Sequence, residues 1–179
     1  MKIKDVLADK RSELIDEWFK RAISDYPSDT IKFLRRQKDP FANPVGDSYR
    51  DGLAGLVDGL IESWDRERLW PHLDRILRVR AVQDFTPSGA VSFVLDLKGA
   101  VREVASRELK SGDWASELAS LDTEIDGMLM LAFDCYVDCR QRLADIRLKD
   151  EQRRVHLLLR RAGMMMEEET APGEEPTEP

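Results

Sequence analysis

The chain has 179 residues, 42% of them hydrophobic and only 7% aromatic, with a formal net charge of -7. That length supports one sizeable core and argues against two full domains. Residues 162–179 hold six glutamates and no Lys, Arg or Asp, so the rest of the chain is within one charge of neutral and presents no basic surface to nucleic acid.

The first predicted helix runs to about Tyr26, with Leu14, Trp18, Ala22 and Tyr26 on one line and Ile15, Phe19 and Ile23 beside it. This i, i+4 stripe is wide enough to face a core, and Pro27 ends it. A short helix follows from Ser28 to about Gln37. The stretch RRQKDPFANPVG, residues 35 to 46, then carries two Xaa-Pro steps four residues apart. Asp39-Pro40 is a cap followed by proline at the first helical position, and Asn43-Pro44 repeats the signal. Pro44 lacks the N–H that would continue the first start, so the segment reads as a corner. Phe41 is the expected anchor of that corner.

After the corner, Tyr49, Leu53, Leu56, Val57, Leu60 and Trp64 form an apolar stripe flanked by Gly52, Gly55 and Gly59. A helical glycine costs about 1 kcal/mol relative to alanine, so three at helical spacing require a reason. Two are open: close approach of a neighbouring helix, or space left for a small ligand. Residues 65–70 are expected to form a turn or two before Pro71, with a separate helix from there to near Phe85. On that helix Arg80 shares the face of Ile76 and Leu77, which suits burial against a partner element, with ligand recognition as the alternative; Asp84 stands four residues on as a local ion-pair partner.

Thr86-Pro87 opens a helix that is apolar nearly all round to Lys110, the expected centre of the fold. The last predicted helix runs from about Asp113 to about Ala162 without a proline. At 1.5 Å per residue it outruns a small domain of ~30 Å diameter, so its distal part is expected to project. Leu118, Leu121, Ile125, Met128, Leu129, Ala132, Phe133 and Tyr136 make its first half richly apolar. Leu143, Ile146, Val155, Leu158 and Leu159 are the sparser contacts of its second half and the expected dimer interface.

The resulting organisation is an all-α body over residues 1–142, a projecting helix end over 143–162, and a tail over 163–179 too poor in apolar residues to offset its ordering entropy. Cys135 and Cys139, the only two cysteines, fall on one helix face and read as small buried residues, since a closed zinc site needs ligands that the sequence does not place beside them. Neither His72 nor His156 stands in an axial-ligand context for haem. No cofactor, metal or catalytic residue is assigned, and no nucleophile–base pair assembles from local spacing, so an enzyme is not expected. No apolar run reaches the length of a membrane span, and the N-terminus lacks the uninterrupted apolar core of a signal peptide; a cytoplasmic protein without membrane insertion is expected.

Three separated motifs, EWFKRAISDYP, KDPFANPVG and RAVQDFTPSGAV, closely resemble the N-terminal domain of RsbRD-type co-antagonist proteins, which regulate the switch kinase of bacterial sigma-factor stress cascades. The resemblance covers roughly residues 10–145. It implies a globin-like helical fold that lacks haem in the characterised branch, that dimerises, and that serves as a sensory input module. In the typical arrangement a STAS domain with phosphorylatable hydroxyl residues follows; here the long helix and acidic tail stand in that place, so output is expected to pass through an unidentified protein partner or through the projecting helix. The alternative is an adaptor or assembly factor for a membrane-associated or redox enzyme that senses no ligand.

Overall fold

A computed structural model describes residues 2–37, 39–62, 65–83, 85–110 and 113–162. Among them every regular element is helical: α1 Ile3–Asp9, α2 Arg11–Ala22, α3 Ser28–Arg36, α4 Pro44–Glu62, α5 Arg66–Val82, α6 Pro87–Val91, α7 Phe93–Val104, a 3₁₀ turn over Glu108–Lys110, and α8 Ala115–Arg161. The fold class is all-α with a long C-terminal helix. The chain divides at Leu143/Ala144 into two units.

In the first unit, α4 and α5 form the most extensive helix pair, α7 packs along α2, and α2 also crosses α4. Trp18, Tyr49 and Phe93 are fully buried where these helices meet. The Trp18 indole donates to the Phe93 carbonyl at 2.7 Å and its ring stacks on that of Phe93, so the largest apolar side chain has its polar atom satisfied in the core. α8 contributes Leu121, Ile125, Met128, Ala132, Cys135 and Cys139, buried at alternating spacings of four and three, the repeat of a single helical face. Salt bridges from Lys4 to Glu124, Lys98 to Asp126 and Arg102 to Asp122 flank that face.

Four expectations need correction. The first predicted helix is two, α1 and α2, meeting at Lys10. Pro71 does not start a helix but lies inside α5, which begins after Asp65, whose carboxylate accepts the Glu67 N–H at 2.9 Å. The helix tolerates the proline because the N–H it lacks would have served the Glu67 carbonyl in the exposed first turn, where water can take its place. The helix expected from Pro87 to Lys110 is split at Ser92, whose hydroxyl donates to the Gly89 carbonyl and whose own carbonyl accepts from Leu95. Leu95, on α7, is exposed rather than enclosed.

The corner is also built differently. Phe41 is 97% exposed and anchors nothing. The buried residue is Asn43, 1% exposed. Its Nδ2 donates to the carbonyls of Gln37 at 2.8 Å and Leu34 at 3.2 Å, while its Oδ1 accepts the Gly46 N–H at 2.8 Å. One side chain thus caps the C-terminus of α3 and the N-terminus of α4 together, satisfying orphan groups of both helices. Arg50 adds a further bond to the Leu34 carbonyl at 2.7 Å.

The second unit contributes residues 144–162 to the described structure. They are helical through Arg161, and every one is exposed. The expected tail, 163–179, lies outside the described residues.

Candidate functional site

The glycines of α4 lie against α5. A β-carbon on Gly52 would stand 2.7 Å from Ile76 Cγ1 and 3.0 Å from the His72 carbonyl oxygen; on Gly59 it would meet Leu69 Cδ2 at 2.5 Å; on Gly55 it would overlap the His72 imidazole. The volume that three side chains would have filled is occupied by Ile76, His72 and Leu69 of the neighbouring helix, and the two backbones approach accordingly.

Arg80, on the same helix, is fully buried. Its Nε donates to the Tyr49 hydroxyl at 2.5 Å, Nη1 to the Gly89 carbonyl at 2.8 Å, and Nη2 to the Ala22 carbonyl. The guanidinium carbon lies 4.8 Å from the Phe85 ring centre, 5.1 Å from Phe93 and 5.5 Å from Tyr49. Among the described residues no carboxylate pairs with it; Asp84, the expected ion-pair partner, lies outside them. The charge is held instead by carbonyl dipoles and aromatic faces, a set suited to the flat, weakly hydrated guanidinium. From Tyr49 the chain of bonds continues to Tyr26 at 3.0 Å and from Tyr26 to Gln83 Oε1 at 2.7 Å. Burial raises the Tyr49 phenol well above its ordinary range despite the adjacent guanidinium, so the residue remains a neutral donor in this chain.

A second polar cluster sits where α8 meets α5. The Sγ atoms of Cys135 and Cys139 and a carboxylate oxygen of Asp74 all lie within 4.8 Å of one another. The Cys139 thiol donates to Asp74 Oδ1 at 3.5 Å, and Arg142 Nη2 approaches Cys139 Sγ at 3.4 Å. Asp74 is held by two guanidiniums: Arg142 on Oδ1 and Arg78 on Oδ2. Burial pushes the Asp74 carboxyl up, but the hydrogen bonds from Arg142 and Arg78 outweigh it and leave the group below the usual carboxylate range. The hydrogen bond between the thiols couples them, lowering Cys139 and raising Cys135. Helical spacing exposes the pairing of the two cysteines; Asp74, some sixty residues earlier, carries no sequence signal linking it to them.

The apolar residues assigned to the distal part of α8 do not share one face. In a helix, nine residues amount to a rotation of about 180°, so Ile146 and Val155 point in opposite directions. Leu148, Val155 and Leu159 share one side, with Leu158 at its margin; Leu143, Ile146 and Leu157 share the other. Leu143 is half-buried, while Ile146, Leu148, Val155, Leu157, Leu158 and Leu159 are all exposed. Within the first unit, Met130, Phe133 and Val137 of α8 are also exposed. The apolar pattern alone puts Phe133 in the core, but it falls between the buried positions Ala132 and Cys135 and faces outward.

A family model described as the RsbT co-antagonist protein rsbRD N-terminal domain matches residues 12–150. The chain belongs to that family. The match takes in both buried clusters, from α2 to the part of α8 that carries the cysteines, and it makes this rsbRD N-terminal domain a regulatory one. No curated protein and no solved structure matches the chain. Among the described residues of the domain, no helix is long and apolar enough to cross a membrane.

Proposed function

We propose that this rsbRD N-terminal domain is a non-enzymatic input module that acts through a protein partner in the cytoplasm and works as a homodimer paired through α8. The family match supports the regulatory class. The observation that carries the dimer is the row Leu148, Val155 and Leu159, spaced by seven and four residues and exposed in the single chain. Such a row favours a partner helix, because burying several aliphatic side chains at ~25 cal/mol per Å² contributes several kcal/mol before association entropy is subtracted. Pairing through α8 joins the distal helix to the elements that hold α8 in the body, which gives a small packing change in the core a route to whatever the helix contacts.

Analytical ultracentrifugation of the full chain and of a chain ending at Arg142 tests this reading. The full chain is expected to be dimeric at tens of micromolar and the shortened chain monomeric. Two monomers refute self-association. Two equal dimers move the interface into the body, where Met130, Phe133 and Val137 are exposed.

A further inference from the structure

We propose that Cys135, Cys139 and Asp74 form an exchangeable binding site for a thiophilic divalent cation of the Zn²⁺ type. The separations fit that chemistry. Around a tetrahedral ion with Zn–S bonds of ~2.3 Å and Zn–O bonds of ~2.0 Å, a sulfur and an oxygen ligand lie about 3.5 Å apart and two sulfurs about 3.8 Å. The Cys139 Sγ to Asp74 Oδ1 distance is 3.5 Å, and the greatest separation in the set does not exceed 4.8 Å. The ligand atoms thus lie near the required spacing, and on binding the Arg142 guanidinium, which donates to Asp74 Oδ1, shares that oxygen with the ion or moves aside to Asp138.

The helix argues against the obvious alternative, a disulfide. Residues four apart on a helix hold their β-carbons about 5–6 Å apart, whereas a disulfide needs about 3.5–4.5 Å. Cys135 and Cys139 are both inside α8, with continuous helix on either side, so an S–S bond requires the helix to deform. An ion that bridges two sulfurs does not.

Charge does not oppose the cation. With both thiols protonated, the carboxylates of Asp74 and Asp138 face the guanidiniums of Arg78 and Arg142. Binding replaces two thiol protons by one Zn²⁺; the two S–H bonds break, two metal–thiolate bonds form, and two protons leave to solvent. The net charge of the cluster is unchanged, so the partly buried site bears no new uncompensated charge. Arg78 remains on the second carboxylate oxygen and orients the ligand. Three protein ligands leave the fourth position to water, the arrangement of an ion that exchanges rather than one locked into the fold. The ion would join α5 to α8 directly, four residues before the end of the first unit.

The site does not rest on the dimeric or regulatory reading, and its test reads binding alone. The reduced, chelator-stripped full chain is titrated with Co²⁺ and then with Zn²⁺. Expected are one ion per chain, thiolate-to-cobalt charge-transfer absorption with tetrahedral d–d bands, their loss on adding Zn²⁺, and release of about two protons per ion. Cys139→Ser should remove most of the charge transfer; Asp74→Asn should keep it but weaken affinity about tenfold or more. Absence of thiolate-to-cobalt absorption in the wild-type chain overturns the proposal, as does unchanged affinity in a folded Cys139→Ser chain. If that variant loses its helical circular dichroism, mapping of iodoacetamide labelling in the wild-type chain decides: Zn²⁺ must protect both thiols, and failure to protect them refutes the site.

Discussion

The side chain of Asn43 occupies the space that a β-carbon on Gly46 would need: such a carbon would overlap the Asn43 amide group. The amide can turn back over the first turn of α4 only because residue 46 is glycine. From there it reaches the last carbonyls of α3 and the Gly46 N–H at once. Asn43→Ala should cost about 2–3 kcal/mol, the sum of a lost cap and of the Gln37 carbonyl losing its donor, while Arg50 still serves the Leu34 carbonyl. Asn43→Asp keeps the acceptor for Gly46 but sets a carboxylate against two carbonyl oxygens, and should also destabilise. Phe41→Ala, in contrast, should lie within about 0.5 kcal/mol of wild type because the ring is in water. Urea denaturation of the three variants checks the ranking; a Phe41 effect larger than that of Asn43 would reverse the assignment.

The three glycines of α4 should not respond alike to alanine. At Gly52 the new carbon meets a backbone atom, the His72 carbonyl oxygen at 3.0 Å, as well as Ile76, and only a shift of α5 relieves it. Gly52→Ala should cost about 1–3 kcal/mol. At Gly59 the obstacle is Leu69 Cδ2, the far end of a flexible side chain, and alanine gains about 1 kcal/mol of helix propensity in return. Gly59→Ala should be close to neutral. Thermal melts of the two variants compare them directly, and an equal loss at both positions would count against contact with the α5 backbone as the source of the difference.

Much of this is legible in the sequence because it depends on local rules. The proline breaks, the i, i+4 stripes and the uninterrupted last helix mark their elements directly, as does Thr86, whose hydroxyl accepts the Gly89 N–H before Pro87 opens α6. What is not legible depends on distance in the chain. The fate of Phe41 against Asn43 turns on whether the corner packs by an apolar ring or by an amide that serves two helix ends, and apolarity alone favours the wrong residue. Pro71 looks like a boundary because nothing local says that the carbonyl it leaves unpaired is exposed. Asp74 and the two cysteines meet only because α5 and α8 pack together, and Arg80 gathers carbonyls from two other elements.

Arg80 should be among the least replaceable side chains of the core. Arg80→Ala removes the donor for the Ala22 carbonyl and one of the two for the Gly89 carbonyl, and opens a cavity among Tyr49, Phe85 and Phe93, for an expected loss of about 3–5 kcal/mol. Arg80→Lys keeps the charge but replaces the planar fork with a single ammonium that cannot span the Tyr49, Gly89 and Ala22 oxygens together, so it should recover only part of the loss. Arg80→Met, of similar length and uncharged, avoids burying a poorly bonded cation and should be no worse than lysine. Chemical denaturation provides the comparison; a lysine variant as stable as wild type would show that charge, not the fork, is what the site requires.

Two carboxylates should respond to acid in opposite directions. Burial raises the Asp96 carboxyl above its ordinary value, Asp25 adds to the effect, and Arg80 and Arg21 offset part of it. A carboxyl raised in the folded state penalises folding above its folded pKa, and the penalty is lifted as pH falls towards the unfolded value. Asp96→Asn should therefore stabilise the domain at neutral pH, and the advantage should vanish on acidification through the carboxylate range. Asp74 is the reverse case: its carboxyl is held down by Arg142 and Arg78, so its contribution is present above the unfolded pKa and is lost as pH falls through the folded one. Asp74→Asn should destabilise at neutral pH by about 1–2 kcal/mol, since its carboxylate is mostly buried and receives charged hydrogen bonds, and should converge on wild type in acid. Melting curves across pH, recorded with chelator so that no cation occupies the thiol cluster, test both at once. If both variants lose stability at neutral pH by the same amount, the Asp96 carboxylate is paired in solution and its burial carries no penalty.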